Sequence, residues 1–325
     1  MLVHQFGTLV RRIGFDMALF DRVAELIVGQ SGKDGILIKD LRFSFSIEKT
    51  LSETLNTSTI KIYNLAPSSR KLVETPNNAV ILKAGYVQDK GALTIFIGIV
   101  RRSLTVREGQ DWVTELELDD GLIAYRDSKF STSFSPGTSG IDVLNAVAAK
   151  FGLPIGTLPT GISTKQYPQG FSFVGRVRDA MNKVCNYLGL EWSIQNQTIQ
   201  ILKKGGSRER TAIVLSPTTG MIGSPQLEAK TMSDKLAAKQ GLTTNSNGVV
   251  TKKSDKLTVS NNPPKDRLEV QGYKVETLMQ PTMLPGDVVK VEAEGVDNWF
   301  KIEKVTHQGD THSKDWTTEI SVRFI

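Results

Sequence analysis

His307, Asp310 and His312 are the first residues to weigh for chemistry, because the chain has only 3 histidines and two of them lie in this short stretch. Two imidazoles and a carboxylate at such spacing are the donors of a divalent-metal site. They fall at a polar turn over 308–314, read as an exposed hairpin tip with nothing behind it to orient the rings. No metal site is expected there. Cys185 is the sole thiol. It sits beside Val184 and two turns above Arg178 on an expected helix, and reads as a packed small hydrophobe rather than a nucleophile. Asp119 and Asp120 precede Gly121. Adjacent strand residues point to opposite faces, so the pair reads as a strand end or turn rather than a carboxylate dyad. Glu115 and Glu117 share a face, but outward charge on a sheet is ordinary. Lys252, Lys253 and Lys256 read as a solvated loop. The sequence carries no Gly-x-Ser-x-Gly elbow, no His-Glu-x-x-His and no phosphate-binding Gly-x-x-x-x-Gly-Lys-Ser/Thr. No catalytic residue, metal or cofactor is expected, and the distinctive content of the sequence is its architecture.

Hydrophobic period defines that architecture. Period-two alternation begins at Arg22 and continues through 36–48, where Leu41, Phe43, Phe45 and Ile47 share one face. Further strands are expected at 59–63, 79–86, 93–106 and 111–118, with a short helix opening at Pro67. Strands at this spacing indicate a sandwich or barrel. The middle changes period. Ser139 can cap a helix running to about Phe151, and a second helix over about 175–188 places Val177, Met181, Val184 and Leu188 on one face. A hairpin follows, with strands 190–194 and 198–202 joined by Gln195-Asn196-Gln197. Residues 205–265 are polar, with a possible short helix at 232–240. Beyond it lies either an exposed hairpin around Asn247-Gly248 or an extended loop. A long polar excursion of this kind is either a contact for a partner or a mobile surface segment. Strands return from Leu268 to the end. Leu9, Ile13, Met17 and Phe20 have helical spacing near the start.

Composition narrows the class. A chain of 325 residues has a prior of about two domains and needs no disulfide staples. A single cysteine argues against a secreted disulfide scaffold. No apolar run reaches the roughly 18 residues that span a bilayer, and acidic residues interrupt the N-terminal segment, so neither a membrane anchor nor an export signal is expected. The expectation is a soluble, intracellular, multidomain protein. The net charge of +6 divides into +1 over 1–130, +4 over 131–205, +4 over 206–270 and −3 over 271–325. Charge spread this way is not the footprint of a nucleic-acid reader.

The chain also resembles itself. Asp111, Trp112, Thr114 and Glu115 recur as Asp315, Trp316, Thr318 and Glu319, and the apolar places that follow, Leu116 and Leu118, keep their character as Ile320 and Val322. The same shift of 204 residues pairs Phe96 with Phe300. The fold class expected is mainly β with an α/β insert (α+β). It comprises an N-terminal extension over 1–21, a first tube-like β-barrel over 22–130 and a helix-plus-hairpin module over 131–205. A second tube-like barrel follows over 206–325, with the polar excursion 229–265.

Several stretches in this order resemble the baseplate hub proteins of contractile-tailed phages, including the late-control D group. They include Thr59-Ile60-Lys61-Ile62-Tyr63-Asn64-Leu65-Ala66-Pro67-Ser68-Ser69-Arg70, Leu82-Lys83-Ala84-Gly85-Tyr86, and Leu118-Asp119-Asp120-Gly121. They continue with Pro281-Thr282-Met283-Leu284-Pro285-Gly286-Asp287 and Val305-Thr306-His307-Gln308-Gly309-Asp310-Thr311 followed by Trp316. The excursion 229–265 departs from the family pattern. The resemblance implies a structural protein of the virion tail baseplate, assembled in the host cytoplasm, and not an enzyme. It implies a homotrimer whose two barrels per chain give a ring of pseudo-sixfold symmetry. Its partners would be the tail tube protein, the spike protein and a tape-measure protein, with phage DNA passing through without sequence-specific binding. A cell-wall-degrading tail enzyme and an oligonucleotide-binding β-barrel are the alternatives.

Overall fold

The computed structural model describes residues 21–52, 56–156, 158–162, 164–208, 212–231, 242–244, 250–252 and 268–325. The expected helices over 9–20 and 232–240, with most of the excursion 229–265, lie outside the described residues. The first stretch of chain holds β1 (Arg22–Gly29), β2 (Gly35–Ile38), β3 (Phe43–Thr50), β4 (Thr57–Tyr63), α1 (Pro67–Val73), β5 (Ala79–Tyr86), β6 (Gly91–Glu108) and β7 (Asp111–Asp119). The middle holds α2 (Leu122–Asp127), β8 (Lys129–Phe134), β9 (Thr138–Ser139), α3 (Gly140–Ala149), β10 (Gln166–Tyr167), β11 (Phe171–Arg176), α4 (Val177–Leu188), β12 (Leu190–Gln195) and β13 (Thr198–Lys203). The last stretch holds β14 (Ile213–Leu215), β15 (Met221–Thr231), β16 (Leu242–Thr244), β17 (Val250–Lys252), β18 (Leu268–Leu278), β19 (Val288–Ala293), β20 (Val296–Asp310) and β21 (Trp316–Phe324).

Local chemistry explains the main boundaries. In β3 the inward places are Phe43, Phe45 and Ile47, alternating with Ser44, Ser46 and Glu48. The single strand expected over 36–48 breaks before Phe43, because β2 pairs with β1 while β3 pairs with β4 and β20. The Ser139 hydroxyl accepts the Ile141 N–H at 3.3 Å and starts α3. Gly189 ends α4 in the left-handed conformation, φ +71°. The β12–β13 hairpin closes through Asn196-Gln197 with φ +52° and +60°, which is a type I′ turn. Strands β16 and β17 pair across the segment that contains Asn247-Gly248.

The two expected barrels do not stand as separate closed sheets. Their strands join in one sheet of 13, ordered β15-β18-β21-β20-β3-β4-β7-β6-β5-β1-β2, with β19 on β20 and β14 on β19. The physical reason lies in β20. Its first half pairs with β19 as far as Lys301, which leaves one edge of its second half open, and β3 takes that edge from Lys304 to Asp310.

On either side of that junction the strand orders match. One half runs β3-β4-β7-β6-β5-β1 and the other β15-β18-β21-β20-β19-β14. The long strands β6 and β20 also bulge at corresponding points, between Val100 and Arg102 and between Ile302 and Lys304. Pairing through β7 and β21 aligns Thr105 with His307 and Arg107 with Gly309, an offset of 202 rather than 204. Phe300 therefore aligns with Gly98, not with Phe96. The Phe96 ring instead lies over Gly98, where an added Cβ would stand 2.4 Å from its Cζ. An aromatic ring covers the same register place from two residues away. The matching is not complete, since β14 and β19 run parallel whereas β1 and β5 run antiparallel.

Three apolar clusters form the core. One lies under the first half of the sheet and includes Met279 and Trp316 from the second half. One fills the middle module around α3, α4 and the β12–β13 hairpin. One lies under the second half around Phe300, Ile302 and Ile320.

Candidate functional site at the seam of the sheet

The β3–β20 ladder is where the halves meet. Its register sets Ile47 opposite His307, Glu48 opposite Thr306 and Phe45 opposite Gly309. On the inward face, Trp316 is buried and meets Phe45 edge-on at 5.6 Å between ring centroids. Gly309 makes this possible, because a Cβ there would stand 2.4 Å from Phe45 Cζ and 2.8 Å from Trp316 Cε3. Arg22 lies over the Trp316 ring at 5.7 Å and donates to the carbonyls of Ser313 and Lys314 at 2.8 and 2.9 Å. On the outer face, Lys304 and Glu48 form an ion pair at 2.6 Å across the seam.

Arg42 closes one end of the ladder. It reaches Asp310 at 2.8 Å and stacks over Tyr63 at 4.4 Å. Asp310 also accepts the N–H groups of His312 and Ser313 at 2.9 and 3.2 Å. Burial pushes the Asp310 carboxyl up, but the Arg42 hydrogen bond, the His312 N–H and the Arg42 charge together hold it below the usual range.

The middle module plugs into the other end. Lys49 continues the inward face of β3 and is buried. Its ammonium donates to Asn196 Oδ1 at 2.9 Å at the tip of the β12–β13 hairpin. Asp120, also buried, accepts the N–H of Asn196 and that of Gln197, the latter at 2.7 Å. Gln195 donates to the Thr50 carbonyl at 2.6 Å, and Lys301 pairs with Glu191 at 2.6 Å. The hairpin tip thus touches β3 and the end of β7, and the base of β12 touches β20. Burial lowers the Lys49 pKa to about 8 and raises that of Asp120 to about 6, each partly opposed by the other's charge. His307 is fully buried nearby with Nδ1 2.9 Å from Thr318 Oγ1. Burial, reinforced by the Lys49 charge, lowers its pKa to about 3.

Trp112 and Trp316 pair with Arg107 and Gly309, Thr114 and Thr318 with Thr105 and His307, and the recurring residues make partly similar contacts. Thr114 and Thr318 are both buried, bonded to Thr105 at 2.8 Å and to His307 at 2.9 Å. Glu115 and Glu319 both reach a lysine, Lys61 at 3.3 Å and Lys274 at 2.7 Å. Asp111 accepts from Asn64 Nδ2 at 2.8 Å, whereas Asp315 is exposed and its carbonyl accepts the Asp310 N–H at 2.9 Å. Trp112 is exposed with Arg70 over its ring at 5.1 Å, while Trp316 is buried.

The His307–Asp310–His312 group does not converge. His307 lies in the core of the seam rather than at an exposed tip, Asp310 is taken by Arg42, and His312 is exposed. Cys185 is buried on α4. Lys49 escaped the sequence analysis, which placed Asp120 at a strand end and Asn196 in a hairpin turn without foreseeing their contact. The parity of β3 was the available signal for Lys49, which is the next inward residue after Ile47. The hairpin contact of Asp120 spans 76 residues and left no local trace.

No family model and no curated protein matches the chain. Solved structures do. The 43 kDa tail protein of prophage MuSo2 from Shewanella oneidensis matches with a TM-score of 0.60 at 12% identity, over 93% of this chain and 98% of that one. A tail protein from Neisseria meningitidis MC58 matches with a TM-score of 0.60 at 13% identity, over 94% and 97%. An Escherichia coli type VI secretion component, described as similar to the T4 tail proteins gp27 and gp5, matches with a TM-score of 0.51 at 10% identity, over 92% and 76%. The chain has the fold of phage tail proteins over nearly its full length.

Proposed function

We propose that this chain is the structural hub of a phage tail baseplate and that it is not an enzyme. Three copies close into a ring in which six sheet halves take six similar places. Such a ring matches a sixfold tail tube on one side and a threefold spike on the other. Each half then acts as one tube-like unit, and the curved sheet gains its closure from neighbouring halves rather than from itself. The ring lines a channel for phage DNA, and a tape-measure protein is a further partner. The protein resides in the virion tail after assembly in the host cytoplasm.

The observation that carries this reading is the matched strand order of two halves within one chain, joined through β3 and β20. The full-length likeness to tail proteins supports it. Electron microscopy of the purified protein tests it by counting subunits per ring. Rings of three chains with six similar lobes are expected. A monomer at micromolar concentration, both alone and with a spike partner, contradicts the reading.

A further inference from the structure

Among the described residues, two sheet edges lack partners at places where the matched strands have them. On β20, residues 304–310 pair with β21 on one side and β3 on the other. The matching residues of β6, 102–108, pair with β7 on one side, and among the described residues no strand lies on the other. Strand β3 has β20 on its outer side, whereas among the described residues the matching β15 ends the sheet. Unpaired edges of this length are templates for another strand.

The side chains at these edges are those of a seam left open. Ile47 is fully buried in the β3–β20 ladder, while Leu227, its match on β15, is 53% exposed. Trp316 is 1% exposed, and its match Trp112 is 44% exposed. Leu104 and Val106 on β6 and Ile222 on β15 add further exposed apolar surface along the same two edges. Exposed apolar residues concentrated on two edges mark an interaction surface. Charge agrees as well. Lys304 and Glu48 form the 2.6 Å pair across the existing seam. Their matches are Arg102, whose side chain is 66% exposed, and Glu228, which is also exposed.

We propose that the 102–108 edge of β6 pairs antiparallel with β15 of a second copy, in the register of the β3–β20 ladder. Leu104 then lies opposite Glu228 of the neighbour, Val106 opposite Gln226 and Thr105 opposite Leu227, and Arg102 forms its ion pair with Glu228. The contact is head-to-tail, so it propagates from copy to copy until the ring closes. At the place of Phe45, β15 carries Gly223-Ser224-Pro225, two residues longer by register, so the new seam departs from its template there. This inference rests on the ring reading above and adds which edges meet and in what register.

Disulfide trapping reads the register directly. Opposed residues of an antiparallel pair have Cα atoms about 4.5–5.5 Å apart, within disulfide reach. The native Cys185 is buried and gives no competing thiol at the surface. The full chain carrying Leu104→Cys and Glu228→Cys is expected to give, on mild oxidation, a ladder of one, two and three linked chains on a denaturing gel. Leu104→Cys with Ile222→Cys, four register places away by the β15–β18 pairing and so roughly 13 Å out of register at 3.3 Å per residue, is expected to give none. In a second arm, Arg102→Glu or Glu228→Arg alone is expected to weaken association at least tenfold by sedimentation. The double reversal is expected to regain most of that loss. Trimers that form without the 104–228 link, or that ignore both charge reversals, overturn the edge pairing and leave the ring standing. Absence of any association in the parent chain removes both.

Discussion

Trp112 and Trp316 stand at the same point of their strand pairs, opposite Arg107 and Gly309, yet one is 44% exposed and the other 1%. The difference is made by what lies across the strand. Gly309 lets Phe45 of the first half pack against Trp316, and among the described residues no strand covers Trp112. Trp316→Ala is therefore expected to cost about 3–5 kcal/mol of folding stability, the range for large aromatic truncations in a core. Trp112→Ala is expected to change the isolated chain by less than about 1 kcal/mol. Guanidinium denaturation of the two variants side by side measures both.

Gly309→Ala separates close packing from simple burial. The new methyl carbon would stand 2.4 Å from Phe45 Cζ, far inside van der Waals contact. The expected cost is about 1–3 kcal/mol, the usual range for overpacking. Adding Phe45→Leu removes the ring that the methyl strikes, and the double variant is expected to lose less than the sum of the two singles. Thermal unfolding of the four proteins gives the coupling.

Lys49 and Asp120 face each other through Asn196, and both are buried. Removing one charge strands the other in a dry environment, which typically costs about 3–5 kcal/mol. Lys49→Met and Asp120→Asn are each expected to destabilise by that order. The double variant keeps Asn196 and leaves no lone charge, so it is expected to cost at least about 1 kcal/mol less than the sum of the two. A denaturant double-mutant cycle decides. Strict additivity would mean that the two charges do not interact.

Most strands were legible because one face of each is buried and the other is not. The alternation of Phe43, Phe45 and Ile47 marked β3, and the period of Val177, Met181, Val184 and Leu188 marked α4. Trp112 and Trp316, singled out by their recurrence, each stand on the strand that pairs with a long bulged strand, opposite Arg107 and Gly309. What the sequence left hidden was long-range. Nothing local in β20 marks that its second edge belongs to β3, because edge pairing uses backbone groups that every residue carries. The misplaced Phe96–Phe300 match has the same origin. An aromatic ring can cover a glycine two residues away, so equivalent space was filled from non-equivalent sequence. His307 looked exposed because its neighbours Gln308 and Lys314 are polar, while the strand covering it comes from more than two hundred residues earlier.

Beside Asp310, whose lowered carboxyl is common to the parent and both variants below, acid titration of the seam carries two opposed contributions. The His307 pKa is lowered to about 3 from 6.5, so below pH 6.5 the unfolded chain takes up a proton that the folded chain refuses. Its contribution is complete above that pH and is lost as pH falls toward 3, with a slope approaching about 1.4 kcal/mol per unit. Asp120 works the other way. Its pKa is raised to about 6 from 3.8, so the folded chain holds a proton that the unfolded chain has released. Its contribution is complete below 3.8 and is lost as pH rises through 6. Between about pH 4 and 6 the two slopes offset each other in the parent protein. Asp120→Asn unmasks the histidine, and this variant is expected to lose stability on acidification more steeply than the parent. His307→Thr installs the residue found at the matching place, Thr105, and is expected to lose stability less steeply. Urea midpoints from pH 4 to 7 for the three proteins test the sign of both, because every other carboxylate is common to all three. Parallel curves would mean that neither group titrates differently in the folded and unfolded chain.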